Sequence, residues 1–248
     1  MGIKKLSEKQ LNQIWSKEAK HYSTLAENSP DYLAHFQILE KVIGNLKGKK
    51  IADIGSGTAI TSAYFAGKGA NLTLIDISAE ALRFGKKYFA QKKLPGQFLK
   101  QNAFSTKLPK NSFDVVWNGG VIEHFVDEDK VKLIKKMWQL VKPGGMLLIA
   151  VPNALDIPFM LAKQLLILRK KWNFGEEDDL TESRMRQLAR LAGITKTQSF
   201  CYNPIVGWWF FPYGKEITTT LRLNTVKFHQ AKYIFGHNVV FWAIKDSD

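Results

Sequence analysis

Along most of the chain, short apolar runs alternate with stretches whose apolar residues recur at helical spacing. The runs cover 50–54, 71–77, 96–102, 113–118 and 146–151, and helical patterns fill 58–67, 79–91 and 127–141 between them. Several runs barely alternate between apolar and polar, as a strand covered on both faces requires. This predicts βαβ units around a parallel sheet. Two helices precede the first run. One, over 10–22, carries Leu11, Ile14, Trp15 and Ala19; the other, over 31–44, starts after Pro30 and stops at Gly44. After Pro152 the pattern becomes irregular and partly helical. A helix over 181–191 follows, stopped by Gly193, and late runs at 194–202 and 238–244 complete a seven-stranded sheet. The predicted class is α/β, with helices on both faces of the sheet.

The residues at the ends of these runs carry the chemistry. Ile51-Ala52-Asp53-Ile54-Gly55-Ser56-Gly57-Thr58 closes a strand and opens a helix. Gly55 and Gly57 let the backbone approach a ligand where a Cβ would clash. A helix starting near Thr58 presents unpaired N–H groups. A dinucleotide site would read G-x-G-x-x-G, with pyrophosphate on that helix end. Here Ile60 holds the third glycine position and Asp53 stands two residues before the first. A carboxylate there repels pyrophosphate and suits a ligand with an ammonium group and a sulfonium, which favours S-adenosylmethionine (SAM) over NAD; the bland alternative is a tight turn with no ligand. Asp76, with Ile77 beside it, ends the next run at the interval expected of a ribose-binding acid. Its alternative role is to cap the following helix, a role Ser78 can fill.

Three further segments follow. Gln101-Asn102-Ala103-Phe104 offers a polar side chain to an adenine edge and a ring to pack beside it, or is a surface turn. Asn118-Gly119-Gly120 reaches the carboxyl edge of the sheet, where ligands of open α/β sheets bind. Glu123 and His124 come next, and a histidine with a neighbouring carboxylate is a workable general base; the competing role for His124 is packing under the sheet edge. Lys142-Pro143-Gly144-Gly145 reads as architecture, ending a helix and turning into a strand. Asp114 is read as ordering the turn into its strand. No His/Asp/Cys cluster has metal-ligand spacing, so no metal is expected.

These five segments, in this order and spacing, resemble the class I SAM-dependent methyltransferases over 49–153, specifically the broad set that includes ubiquinone-biosynthesis and other small-molecule enzymes. The family's glycine-rich motif matches Asp53, Gly55 and Gly57, its ribose acid Asp76, and its adenine position, commonly Asp, Asn102. Residues 118–124 look like its fourth motif, and 142–145 with 151–153 like its fifth. The resemblance implies a Rossmann-like, seven-stranded, mostly parallel sheet with an antiparallel final strand near 238–244. It implies SAM as cofactor, held by Asp53, Gly55, Gly57, Asp76, Ile77, Asn102, Ala103, Asn118 and Gly119, with His124 and Glu123 as the catalytic pair. Trp15 and Tyr22 loosely resemble the N-terminal helix that lids SAM in relatives. The whole of 1–248 is then one methyltransferase domain: a helical lid over 1–48, the core over 49–153, a helical insert over 154–180, and a C-terminal part over 181–248 with an aromatic and basic insert at 203–237. No substrate is implied, since fold does not fix function.

Charge and composition bear on partners. The net charge of +14 would attract RNA, anionic lipid or an acidic substrate, or simply reflects a lysine-rich soluble enzyme. The single cysteine, Cys201, excludes an internal disulfide and reads as a small buried residue. No apolar region follows Lys4 and Lys5, Leu6 breaks the myristoylation pattern, and no run of about 18 apolar residues occurs, so a cytoplasmic protein is expected. Over 157–172, Ile157, Leu161, Leu165, Leu168 and Trp172 form one helical stripe, with Phe159, Met160, Leu166 and Ile167 off it and Arg169, Lys170 and Lys171 at the end. Such a helix packs into the domain, lies on a membrane or lipid surface, covers a greasy substrate or meets a second subunit. Trp208-Trp209-Phe210-Phe211-Pro212-Tyr213, near Lys215, Arg222 and Lys227, could stack bases or wall an apolar pocket. The leading expectation is methyl transfer to a small-molecule acceptor, lipophilic if those segments line its site. The alternatives are an RNA or protein methyltransferase, or a non-catalytic SAM-binding protein. The missing Asn/Asp-Pro-Pro-Tyr-type motif argues against nucleic-acid bases, and intact Gly55, Gly57 and Asp76 argue against a non-catalytic role.

Overall fold

The computed structural model describes residues 5–21, 28–172, 175–223, 227 and 232–247. Tyr22 lies outside them. Seven strands form one sheet: β1 (Lys50–Ile54), β2 (Asn71–Asp76), β3 (Gln97–Lys100), β4 (Phe113–Gly119), β5 (Val141–Pro152), β6 (Gln198–Tyr202) and β7 (Asn238–Ile244). Their order is β3-β2-β1-β4-β5-β7-β6. The first five run parallel, and β7 runs antiparallel to both neighbours. The expected fold class, including the antiparallel last strand, is what the chain adopts.

Helices cover both faces. On one side α2 (Pro30–Ile43), α3 (Ile60–Gly67) and α4 (Ala79–Gln91) bury Phe36, Leu39, Ala63, Phe65 and Phe89 against Ile51, Leu74 and Leu148. On the other, α5 (Asp127–Leu140) and α7 (Glu182–Leu191) bury Leu133, Met137, Met185 and Leu188 against Val116, Leu147 and Phe241. With both faces covered, β1, β4 and β5 can be almost wholly apolar, which is why their runs lack alternation. Start and stop signals act locally. Pro30 opens α2 and Gly44, at φ +78°, ends it, while Ser78 and Thr181 cap α4 and α7 through their hydroxyls. The first helix, α1 (Glu8–Glu18), begins with a Ser7–Gln10 capping box.

Several boundaries, and the direction of one helix face, differ from expectation. Strand β5 begins at Val141 and takes in the Lys142–Gly145 turn, because Val141 pairs with Phe113 and Gly144 and Gly145 exchange hydrogen bonds with Lys245. Strand β6 begins only at Gln198, since the Ile194 N–H closes the end of α7 on Ala189. The insert helix α6 (Ile157–Leu168) turns its stripe outward. Phe159, Ala162 and Lys163 are buried, whereas Ile157, Leu161, Leu165 and Leu168 are exposed. No helix among the described residues is long and apolar enough to cross a membrane. Cys201 is free and buried.

Candidate functional site

The loop after β1 is built by glycine. Gly55 and Gly57 take φ of +76° and +48°, so the chain reverses sharply and α3 starts at Ile60, two residues later than expected. A Cβ on Gly55 would stand 2.7 Å from a methyl of Val121, so only glycine lets the loop lie under the β4 turn. Asp76, at the end of β2, anchors this loop. One carboxylate oxygen accepts the Gly57 N–H at 2.9 Å and the other accepts the Ser78 N–H at 2.8 Å. Ser78, not Asp76, caps α4 by accepting the Ala81 N–H at 3.1 Å. Asp53 lies beneath the loop and accepts the Ser62 hydroxyl at 2.6 Å. Burial holds Asp53 up at about 7, with the Asp76 charge pushing the same way, and burial raises Asp76 as well.

These residues open onto a cavity of about 540 Å³. Asp53, Gly55, Gly57, Asp76, Ile77, Asn102, Ala103, Gly119 and Glu123 all line it, so the structure brings most of the expected site residues together. Asn102 accepts the Phe104 N–H at 2.9 Å, shaping a short turn, and donates to Glu8 of α1 at 2.8 Å. Trp15 of α1 also lines the cavity. Four carboxylates face it, Asp31, Asp53, Asp76 and Glu123, and among the described residues no lysine or arginine does. The +14 charge therefore sits elsewhere on the molecule.

Two expected residues are not brought there. Asn118 is fully buried on the Val116 side of β4, where its amide donates to the Ile54 carbonyl at 2.6 Å and ties β4 to β1; strand alternation turns it away from the cavity. His124 does not line the cavity either. Trp15 packs edge-on against its ring at 4.7 Å, and its nitrogens face the Glu176 carbonyl and, at 3.8 Å, Glu177. Burial first, then the charge of Lys163, depresses its pKa to about 4. Glu123 does reach the cavity, but burial, reinforced by Glu177 and Asp179, raises it to about 8. Lys163 pairs with both of those acids, at 2.8 and 2.6 Å.

Phe210 of the aromatic segment lines the cavity, in keeping with that segment as a pocket wall, whereas His35 from α2, Trp117 from β4, Val206 and His237 just before β7 line it without any local pattern that marked them. His35 meets the Tyr202 hydroxyl, and burial lowers its pKa to about 4. A single glycine, Gly207, could have pointed to the segment's fit, since a Cβ there would fall 2.2 Å from Asp156.

A methyltransferase-domain family model matches residues 52–149. The chain is 28% identical over 207 residues to a ubiquinone biosynthesis O-methyltransferase of Cupriavidus pinatubonensis, covering 76% of this chain and 82% of the relative. It is likewise 28% identical over 213 residues to the Nitrosomonas europaea protein of that name, covering 83% and 87%. Among solved structures, magnesium protoporphyrin IX methyltransferase from Synechocystis, determined with S-adenosylhomocysteine bound, superimposes with a TM-score of 0.63 at 14% identity, covering 97% of this chain and all of that one. A [4+2]-cyclase superimposes as well, with a TM-score of 0.64 at 17% identity over 100% and 99% of the two chains. These structural likenesses show a shared fold.

The buried acids give a test. Asp53 and Glu123 hold protons in the folded chain up to about pH 7 and 8, whereas unfolded carboxylates release them near 3.8 and 4.5, so these groups make stability fall as pH rises. The depressed His35 and His124 act oppositely, but only up to pH 6.5, where the unfolded histidines have lost their protons. Stability measured by urea unfolding should therefore decline from about pH 6.5 to about pH 8, and the double variant Asp53→Asn/Glu123→Gln should flatten the decline. A wild-type stability that is level or rises across that window contradicts the assignment.

Proposed function

We propose that this chain, which belongs to the class I SAM-dependent methyltransferases, transfers the methyl group to a small acceptor with an apolar body. The observation that carries this is the cavity lining: four carboxylates and no described lysine or arginine, in a chain of net charge +14. A pyrophosphate or an RNA backbone needs cations at its site. A sulfonium and an ammonium group need the reverse.

The residues present fit SAM. Each oxygen of an ionised carboxylate has two acceptor positions. Asp76 thus keeps acceptor capacity for a ribose hydroxyl beside the Gly57, Ser78 and Ile77 N–H groups. Gly55 and Gly57 bring backbone close to the ligand, and Asn102, Ala103 and Phe104 form the wall for the adenine ring. Asp53, Ile77 and Gly119 complete that half, and Trp15 of α1 covers it. Bound SAM supplies a methyl group already activated on sulfur. The chain's part is then to hold the acceptor in line and exclude water, effects worth up to roughly 7–11 kcal/mol.

Strand order divides the cavity. The loops after β1, β2 and β3, with Gly119 at the end of β4, form the cofactor half, and Trp117 of β4 with residues beside β5 and β7 forms the other. There Trp117, Val206 and Phe210 supply apolar walls, which favours an acceptor with apolar surface, worth about 25 cal/mol per Å² buried. The O-methyltransferase names of the curated relatives support a hydroxyl as the acceptor group. Exposed Leu161, Leu165 and Leu168, followed by Arg169, Lys170 and Lys171, also support contact with a lipid surface that would deliver such a molecule.

The test is transfer from labelled SAM into a fractionated cell extract over a salt series. Label should enter the small-molecule or lipid fraction with weak salt dependence. Label in the RNA fraction that vanishes between low and moderate salt would overturn the proposal.

A further inference from the structure

We infer that His237, oriented by Asp156, is the general base for the acceptor; this rests on the methyl-transfer reading above. Asp156 is completely buried at the start of α6. One of its oxygens accepts the Phe159 N–H at 3.2 Å, and the other lies 2.7 Å from His237 Nδ1. A carboxylate only accepts, so Nδ1 carries the proton and Nε2 is left with its lone pair. Nε2 has no hydrogen-bond partner among the described residues, and His237 lines the cavity.

The ring is held at Nδ1 and by two aromatic side chains. Phe159 meets it edge-on at 4.7 Å and Phe210 lies at 5.8 Å. Its backbone is held too: the His237 N–H donates to the Asn203 carbonyl and the Asn153 N–H donates to the His237 carbonyl. Gly207 closes over Asp156 at a position where any Cβ would collide with the carboxylate. Because His237 stands beside β5 and β7, across β4 from the glycine loop, it belongs to the acceptor half. Neither rival base is as well placed. His35 has its Nδ1 against Tyr202, and His124 is outside the cavity lining.

The step balances simply. Nε2 takes the acceptor's O–H proton as the oxygen bonds the methyl carbon, the C–S electron pair stays on sulfur to leave a neutral thioether, and the imidazolium later gives its proton to solvent. Asp156 stabilises that imidazolium through Nδ1. Two other charged groups bear on it: Glu177, whose carboxylate senses His237, and Lys163 of α6, which pairs with Glu177.

The experiment measures total label passed from SAM to unfractionated cell extract, so it does not depend on which fraction accepts the methyl group. In the wild type, transfer should rise with pH as the imidazole loses its proton. His237→Asn should bind S-adenosylhomocysteine within about threefold of wild type by calorimetry, yet transfer about 10²-fold more slowly, with the pH rise gone. Asp156→Asn no longer fixes the proton on Nδ1, so transfer should fall about tenfold or more while S-adenosylhomocysteine binding holds. If His237→Asn also loses S-adenosylhomocysteine binding, the Asp156→Asn rate decides. Transfer by either variant at the wild-type rate overturns the inference. Label in RNA would instead overturn the acceptor reading and leave this comparison intact.

Discussion

Two backbone N–H groups, those of Gly57 and Ser78, point at one buried carboxylate, that of Asp76. The glycine loop and the start of α4 would otherwise carry unpaired donors in a dry place. By accepting both, Asp76 fixes the loop after β1 relative to the loop after β2, and the cavity floor follows from that bond pair. The cost is a crowd of acids, and burial keeps the proton on Glu123 and in part on Asp53 near neutral pH. Asp53 lies beneath, its acidity weakened by burial and by Asp76, and Glu123 and Asp31 complete an acidic lining. A cationic ligand relieves that crowding, whereas a phosphate would worsen it. The basic surface and the acidic cavity of one chain therefore have separate tasks.

Much of this was readable along the chain because it is local. Strands covered on both faces need continuous apolar runs, and caps, prolines and glycines mark helix ends, so β1, β7 and α4 fell where the pattern put them. The glycine loop, Asp76 and Asn102 were equally local, since Asp76 ends β2 and the other two follow β1 and β3 within a few residues. What failed was side-chain direction. Asn118 and His124 lie in the right segment, but alternation sends Asn118 to the opposite face, and Trp15, far away in sequence, covers His124. The outward stripe of α6 has the same origin, since spacing identifies a stripe but not what it faces.

The far side of the cavity, where we propose the acceptor binds, was not readable for a further reason. It is assembled from α2, β4, the 203–210 segment and the approach to β7, and no two of these are close in sequence. Asp156 and His237 stand 81 positions apart and meet only because β5 and β7 pair to their ends, Pro152 against Asn238. Residues at the ends of neighbouring parallel strands thus form the side of the cavity under the glycine loop, and long-range packing forms the other.

Calorimetric titration of SAM and NAD into the wild-type protein and into Asp76→Asn bears most directly on the anchoring role of Asp76. SAM should bind the wild type more tightly than NAD, and Asp76→Asn should weaken SAM by roughly 1–3 kcal/mol, the scale for hydrogen bonds to a charged group. NAD binding more tightly than SAM, or SAM affinity unchanged in Asp76→Asn, would contradict the account.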